Sequence, residues 1–127
     1  MLITPGYAAL FALFLIGLSG RVIILRGKSS VALGDGGQIG LKRAIRVHAN
    51  FVEYVPFTLF IIYLLEVQTG SSLWIHGLCG GLFLGRCLHA FGLSQTKENL
   101  IYRVTGMVVT FAVLAGAAIA ILVSYRS

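Results

Sequence analysis

The twenty residues Val104–Val123 contain no charged side chain, and about twenty helical residues span the hydrocarbon core of a bilayer. Three other long apolar stretches precede this one. Only 11% of the 127 residues are charged, compared with about 25% in a soluble domain. The sequence therefore predicts a single all-α membrane domain over residues 1–127, an up-down bundle of four transmembrane helices. We expect the helices at about residues 5–25, 38–67, 73–91 and 97–123.

Glycine-rich and polar segments separate the predicted helices. The segment Gly27–Gly40, GKSSVALGDGGQIG, has the glycine content of a loop. It lacks the GxxxxGK[ST] pattern of a phosphate-binding loop and is interpreted as a connector. In the later segment Gly92–Glu98, Thr96 is the expected N-cap of the fourth helix. At the start, MLITPGYAALF lacks the basic region of a signal peptide, so we expect no cleaved leader.

The basic residues flank the apolar spans unevenly. Positive residues in short loops mark the cytoplasmic side of a membrane protein, so we expect a multi-pass protein with both termini outside the cytoplasm. This placement explains the formal charge of +6 better than nucleic-acid binding, which would require a basic patch on a soluble face. The first connection holds Arg21, Arg26, Lys28, Lys42, Arg43 and Arg46, the last connection holds Arg86, Lys97 and Arg103, and the other side holds Arg126.

A polar face lies at the mouth of the second helix, in the segment RVHANFVEY. Its residues Arg46, Asn50, Glu53 and Tyr54 are spaced i, i+4, i+7 and i+8, which places them on one side of a helix, with His48 on the opposite side. Ionisable groups near hydrocarbon are unfavourable without partners, and they often mark functional sites. In the alternative interpretation, Arg46 snorkels and pairs with Glu53 only through Asn50, because i and i+7 are too far apart for a short contact.

The third helix carries a packing motif and two further polar residues. Gly77, Gly81 and Gly85 recur every four residues, and this spacing lets membrane helices approach closely. Arg86 and His89 follow, three residues apart and therefore neighbours on the helix. We expect no metal site, because the three histidines of the chain, His48, His76 and His89, lack metal-ligand spacing.

Arginines, an amide, a carboxylate and a phenol together can bind a small polar zwitterion. Arginine pairs with carboxylates, often through two hydrogen bonds, and Glu53 can accept an ammonium group. A further arginine beside a thiol would favour the thiolate. A tripeptide thiol with two carboxylates and one amine fits these groups, although the chemistry alone does not single it out.

The helix 2 pattern R-x-H-x-N-x-x-E-Y-x-P, which begins at Arg46, resembles the signature of the MAPEG family, the membrane-associated proteins of eicosanoid and glutathione metabolism. The segment Gly85–His89, GRCLH, is similar to the helix 3 segment of that family, and Arg103 falls where the family keeps an arginine near the start of helix 4. The early LGDGG and the uniform apolar spans resemble bacterial members, which implies a bacterial inner membrane location.

The resemblance implies a homotrimer with three glutathione sites, each between adjacent subunits. Arg103 would be the catalytic residue that stabilises the thiolate. One departure is Leu93, because the family's enzymes often have a tyrosine one turn after the position of His89. The resemblance implies that glutathione is bound by Arg46, Asn50, Glu53 and Tyr54 of helix 2 and by His89 of helix 3, with Arg26 and His48 contributed across the subunit interface.

The main functional hypothesis is a glutathione transferase or peroxidase of the membrane. It would act on apolar electrophiles or lipid hydroperoxides that arrive from the lipid, with glutathione as co-substrate. A second hypothesis is a non-catalytic lipid- or glutathione-binding protein of the same family, against which Arg46 and Arg103 argue. A third is a small multidrug transporter, which would need an acidic residue in helix 1; this helix has none.

Overall fold

The computed structural model describes residues 1–126, and the described chain is an up-down bundle of four α-helices. This confirms the predicted fold class. The order is α1 (Thr4–Ser29), α2 (Ile39–Thr69), α3 (Leu73–Ser94) and α4 (Leu100–Tyr125). The connections at residues 30–38 and 95–99 lie at one end of the bundle, called here the basic end. The termini and the turn between α2 and α3 lie at the other end.

Three of the helices, α1, α2 and α4, are long and apolar enough to cross a membrane. The third helix is not among them by this measure. It contains five glycines, Arg86 and two histidines, and Arg86 and His89 are buried inside the bundle. Arg86 and His89 therefore face the other helices, whereas His76, near the start of α3, is exposed.

Helix α2 contacts each of the other helices, and the closest association is between α3 and α4. Within residues 1–126, α1 and α4 do not pack on each other. The core between α1, α2 and α3 is aromatic. Phe11 meets Phe83 with ring centroids 5.5 Å apart, and Phe14 meets Phe51 at 5.1 Å. Both pairs are edge-on, which is a favourable geometry for aromatic rings.

The close approach of α3 to α4 occurs where two glycines cross. A Cβ atom on Gly106 would lie 2.5 Å from the Gly85 carbonyl oxygen and 2.6 Å from the His89 backbone nitrogen. The predicted glycine ridge is thus confirmed at Gly85. It is not confirmed at Gly77, where a Cβ would meet no atom of residues 1–126 within 4 Å, and at Gly81 the contact is an ordinary 3.5 Å. The crossing fixes the backbone of His89 against α4.

Glu66 links α2 to the start of α1 at the end of the bundle that carries the termini. Its side chain is fully buried and accepts hydrogen bonds from the backbone N–H groups of Ile3 at 2.5 Å and Thr4 at 2.8 Å, and from the Ser71 hydroxyl at 2.8 Å. The first N–H groups of a helix have no partner within the helix. Since α1 has no cap from its own N-cap side chain, a carboxylate of α2 satisfies this terminus.

The helix ends differ from the predicted ones at the basic end. Helix α1 continues to Ser29, so Arg26 and Gly27 belong to its last turn instead of to a loop. The N-cap of α4 is Asn99 and not Thr96; the Asn99 side chain accepts a hydrogen bond from the Tyr102 N–H. Glu98 therefore lies in the connection before α4, from which it can reach neighbouring helices.

Candidate functional site

The predicted polar face of α2 divides into an outer and an inner part. Arg46 and Glu53 point outwards and form an ion pair at 3.4 Å, with side chains 52% and 48% exposed. The expectation that these residues are too far apart for direct contact was wrong, because two long side chains can bridge two turns along the helix surface. Asn50, in contrast, is buried and turned towards α3.

A buried polar cluster joins α2, α3 and α4 around Arg86, which is 1% exposed. One terminal nitrogen of Arg86, Nη2, donates to Asn50 Oδ1 at 2.5 Å and to His89 Nδ1 at 3.2 Å. The other, Nη1, lies 3.4 Å from Thr110 Oγ1 and 3.5 Å from Met107 Sδ. The two predicted ligand-binding residues Asn50 and His89 thus share one buried cation.

A cavity of about 250 Å³ opens at the basic end of the bundle, between α2 and the junction of α3 with α4. Four cations and one carboxylate surround it, so its electrostatic potential favours a bound anion. Predicted residues Arg46 and Arg103 both contribute to this basic pocket. Its lining consists of Ile39, Lys42, Arg43, Arg46, Leu93, Glu98 and Arg103.

Glu98 is the internal anion of the basic pocket. It forms a close ion pair with Arg103 through one carboxylate oxygen, and the other oxygen lies 3.9 Å from Arg43 Nη1. The hydrogen bond from Arg103, with the charges of both arginines, lowers the pKa of the Glu98 carboxyl below its usual range. Arg43 also donates to the Leu93 carbonyl oxygen at 3.2 Å, which ties α2 to the end of α3.

The pocket and the buried cluster are adjacent layers of one site. Asn50 follows Arg46 by four residues on α2, and His89 precedes Leu93 by four residues on α3. One helical turn is about 5.4 Å, so Asn50 and His89 lie about one turn deeper than the pocket. Neither residue is among those that line the pocket, so a ligand held there would have to extend about one turn inward to meet them.

Four predicted residues lie outside the pocket and the buried cluster within the described chain, and one of them, Glu53, contacts the site only through Arg46. His48 Nε2 lies 3.0 Å from Ser19 Oγ of α1, on the side of α2 opposite Asn50, as its spacing predicts. Arg26 donates to the Gly34 carbonyl oxygen at 2.7 Å, in the connection after α1. The Tyr54 ring packs edge-on against Phe111 of α4, with centroids 5.3 Å apart.

Four residues of the site were not assigned from the sequence. Lys42 and Arg43 were interpreted only as topology markers, and Glu98 only as a residue of the first turn of α4. Arg86 had no assigned role, although a charged residue inside an apolar helix is a signal for a buried site. Its partners on α2 and α4 are 36 and 24 residues away in sequence, which no local pattern reveals.

Comparison with known proteins gives an independent test of the resemblance. Residues 4–123 match the MAPEG family. The chain is 36% identical over 114 residues to inner membrane protein YecN of Escherichia coli strain K12, a match that covers 89% of this chain and 85% of that protein. YecN of Escherichia coli O6:H1 strain CFT073 matches with the same identity and coverage. Since the match extends through all four helices, this chain belongs to the MAPEG family.

Proposed function

We propose that this membrane protein binds glutathione and uses it as co-substrate, in conjugation of apolar electrophiles or in reduction of lipid hydroperoxides. The observation that carries the proposal is the two-layer site, in which a pocket with four cations lies one turn above buried Asn50 and His89. Glutathione has two carboxylates, an ammonium group and a thiol. Family membership agrees with this ligand.

The residues of the site match these groups by charge. Arg46, Arg43 and Lys42, which line the pocket, would bind carboxylates, and an arginine can do so with two parallel hydrogen bonds. Glu53, on the same face as Arg46, would accept the ammonium group. Glutathione would supply a nucleophilic thiol, and the free thiol has an ordinary pKa of about 8.5.

Arg103 is our proposed catalytic residue. Its guanidinium lies in the pocket at the start of α4, among a majority of positive charges. A neighbouring cation lowers the pKa of a thiol and so increases the thiolate fraction at neutral pH. The protein would contribute charge stabilisation and positioning, without covalent chemistry of its own.

The two substrates would reach the site by different routes. The asymmetry of basic residues favours a cytoplasmic location for the basic end, and a polar thiol would then enter from there. An apolar partner would arrive from the lipid beside the start of α4. Leu100, Ile101 and Val104 on that turn are exposed apolar side chains.

We further propose the homotrimer, with sites shared between subunits. Arg46 and Glu53 are half-exposed on the outer face of α2, in a segment otherwise apolar enough to span a membrane. Charges facing lipid are unfavourable, and a second copy against this face would cover them. In such an assembly Arg26 and His48 would reach the neighbour's site, and native mass spectrometry from mild detergent should give a trimer. A dominant monomer would contradict the shared-site arrangement.

The thiolate of bound glutathione absorbs ultraviolet light, and this provides the test of the catalytic proposal. Stopped-flow absorbance should show thiolate when the detergent-purified parent mixes with glutathione at neutral pH. Arg103→Ala should abolish that absorbance and reduce turnover while much of the affinity for glutathione remains. Arg103→Lys should restore part of it, because lysine keeps the charge but not the planar fork. Unchanged absorbance in folded Arg103→Ala would assign Arg103 to anchoring α4 and not to catalysis.

The second candidate is a non-catalytic binding protein of the same family. It is favoured by the ion pair that already engages Arg103 with Glu98. If the parent binds glutathione by calorimetry yet shows no thiolate absorbance and no turnover with an apolar electrophile or a lipid hydroperoxide, this candidate replaces the enzyme.

A further inference from the structure

Arg86 is the most deeply buried cation of the described chain, and it is not among the residues that line the basic pocket. It has no ion-pair partner within residues 1–126. Its four contacts are to neutral atoms of Asn50, His89, Thr110 and Met107, and its Nε–H has no partner in the described chain. A buried guanidinium without a carboxylate is an expensive feature, which points to a role beyond packing.

The chemistry of the guanidinium determines how its partners are oriented. Arginine only donates hydrogen bonds. Asn50 must therefore present its carbonyl oxygen to Arg86, which leaves the amide nitrogen as the free end. His89 must present an unprotonated Nδ1, so its ring is neutral and carries the proton on Nε2.

Thr110 of α4 is a third group that accepts a hydrogen bond from Arg86. Its hydroxyl donates to the Gly106 carbonyl oxygen at 2.8 Å, so its oxygen accepts from Arg86. Every group that meets Arg86 accepts, and the atoms left over on Asn50 and His89 donate. Neither Asn50 Nδ2 nor His89 Nε2 makes a hydrogen bond within the described part of the chain.

We propose that Arg86 is the positioning residue of the site. It fixes Asn50 and His89 as hydrogen-bond donors, so the ligand group that meets them must accept hydrogen bonds. The proposal rests on the proposed function, in which that group belongs to glutathione, either its ionised thiol or one of its carboxylates. Because Arg86 has no counter-ion within residues 1–126, an anion that binds Asn50 and His89 would also offset the charge of Arg86 at short range.

The same orientation discriminates between ligands. An ammonium group, which can only donate, would meet N–H groups that cannot accept, and a mismatched buried donor is unfavourable. The basic pocket attracts anions at the mouth, and the layer around Arg86 extends this preference about one turn inward. Recognition is therefore built for a ligand with anionic groups at two depths.

The tautomer of His89 tests the proposal in the unmodified protein. Nitrogen-15 NMR of histidine-labelled protein in detergent distinguishes protonated from unprotonated ring nitrogens, and His89→Gln assigns the His89 signals among the three histidines. We expect an unprotonated Nδ1 and a protonated Nε2 in the parent at neutral pH. A protonated Nδ1 in the parent would overturn the proposal.

Variants of Arg86 give the second part of the test. Arg86→Met should produce a mixture of His89 tautomers and weaken glutathione binding about tenfold or more, and Arg86→Lys should retain the parent tautomer and part of the affinity. Arg21→Met is the matched control, because Arg21 bonds Ser94 at the edge of the bundle and should leave both readouts unchanged. An unchanged tautomer and an unchanged affinity in Arg86→Met would overturn the positioning role.

S-methyl glutathione distinguishes the two possible acceptors. If the thiolate meets Asn50 and His89, Arg86→Met should weaken glutathione much more than S-methyl glutathione, which has no ionisable thiol. If a carboxylate meets them, both ligands should weaken equally. A parent that shows the expected tautomer but binds neither ligand would refute the proposed function and leave the hydrogen-bond orientation standing.

Discussion

Glu98 and Arg103 form an ion pair at the mouth of the basic pocket, with Arg43 3.9 Å from the second carboxylate oxygen of Glu98. A carboxylate of the protein thus occupies cations that a ligand carboxylate would use. Replacing Glu98 with glutamine removes this competitor. We expect Glu98→Gln to bind glutathione about twofold to fivefold more tightly, the range of a partly exposed ion pair, in calorimetry at neutral pH. Weaker binding would mean that the Glu98 carboxylate itself contacts the ligand, at the ammonium group of glutathione.

The competition by Glu98 should persist in mild acid. The hydrogen bond from Arg103 lowers the pKa of Glu98, so the carboxylate stays ionised while pH falls towards the ordinary glutamate value of about 4.3. The ion pair is present above that value and is lost only as pH falls through the lowered pKa. The affinity ratio between Glu98→Gln and the parent should therefore be the same at pH 7 and pH 5. A ratio that approaches one at pH 5 would show that Glu98 is already protonated there.

Loss of either charge on the outer face of α2 should weaken glutathione binding. Arg46→Ala and Glu53→Ala each remove a charged partner, and such losses typically cost about 2–5 kcal/mol when the pair is buried by the ligand. We expect at least about tenfold weaker binding in calorimetry for each variant. Lys28→Ala is the control, since it removes an exposed cation at the end of α1. Parent-like binding by both variants would place the ligand elsewhere.

The fold was predictable from sequence because its determinants are local. Four apolar segments, separated by glycine-rich or polar connections, predict four helices, and the structure has them with ends shifted by a few residues. The end of α1 was predicted too early because a glycine, Gly27, is tolerated in a final helical turn. Thr96 and Asn99 are both capping residue types, and only the backbone geometry assigns the cap to Asn99.

The arrangement of the site was only partly predictable, because side chains choose partners on other helices. The spacing on α2 placed Arg46 and Asn50 on one face, but it could not show that Arg86 of α3 draws Asn50 inward. The spacing of His48 correctly placed it opposite Asn50, yet not beside Ser19 of α1. The glutathione ligand and the shared sites stay predictions, which the experiments above address.

Glu66 should contribute to stability through the N-terminus of α1. Its carboxylate accepts two backbone N–H bonds and one hydroxyl bond, and hydrogen bonds to a charged group contribute about 1.5–3 kcal/mol each. Glu66→Gln keeps the shape of the side chain, but its amide N–H group would face groups that themselves donate, the backbone N–H groups of Ile3 and Thr4 and the Ser71 hydroxyl. We expect a lower unfolding temperature in detergent and faster amide exchange at Ile3 and Thr4. Glu53→Gln, the same change at a half-exposed position, should have little effect on the unfolding temperature or on the amide exchange. If the two variants change these readouts equally, Glu66 does not stabilise the start of α1 in the way proposed.

The glycine crossing between α3 and α4 should be intolerant of a single methyl group. In Gly106→Ala the new Cβ would meet the Gly85 carbonyl oxygen at 2.5 Å and the His89 backbone nitrogen at 2.6 Å. Backbone atoms cannot rotate aside, so the helices must separate, and overpacking of this kind costs about 1–3 kcal/mol. Gly116→Ala is the matched control on the same helix, where a Cβ would meet nothing within 4 Å among the residues that the structure describes and alanine favours the helix. We expect the unfolding temperature in detergent to be lower for Gly106→Ala than for the parent, and equal to or higher than that of the parent for Gly116→Ala.

Because the displaced backbone carries His89, Gly106→Ala should also lengthen the Arg86–His89 hydrogen bond and weaken glutathione binding in whatever protein remains folded. Equal stability of the two variants would mean that the helices approach less closely than this crossing requires.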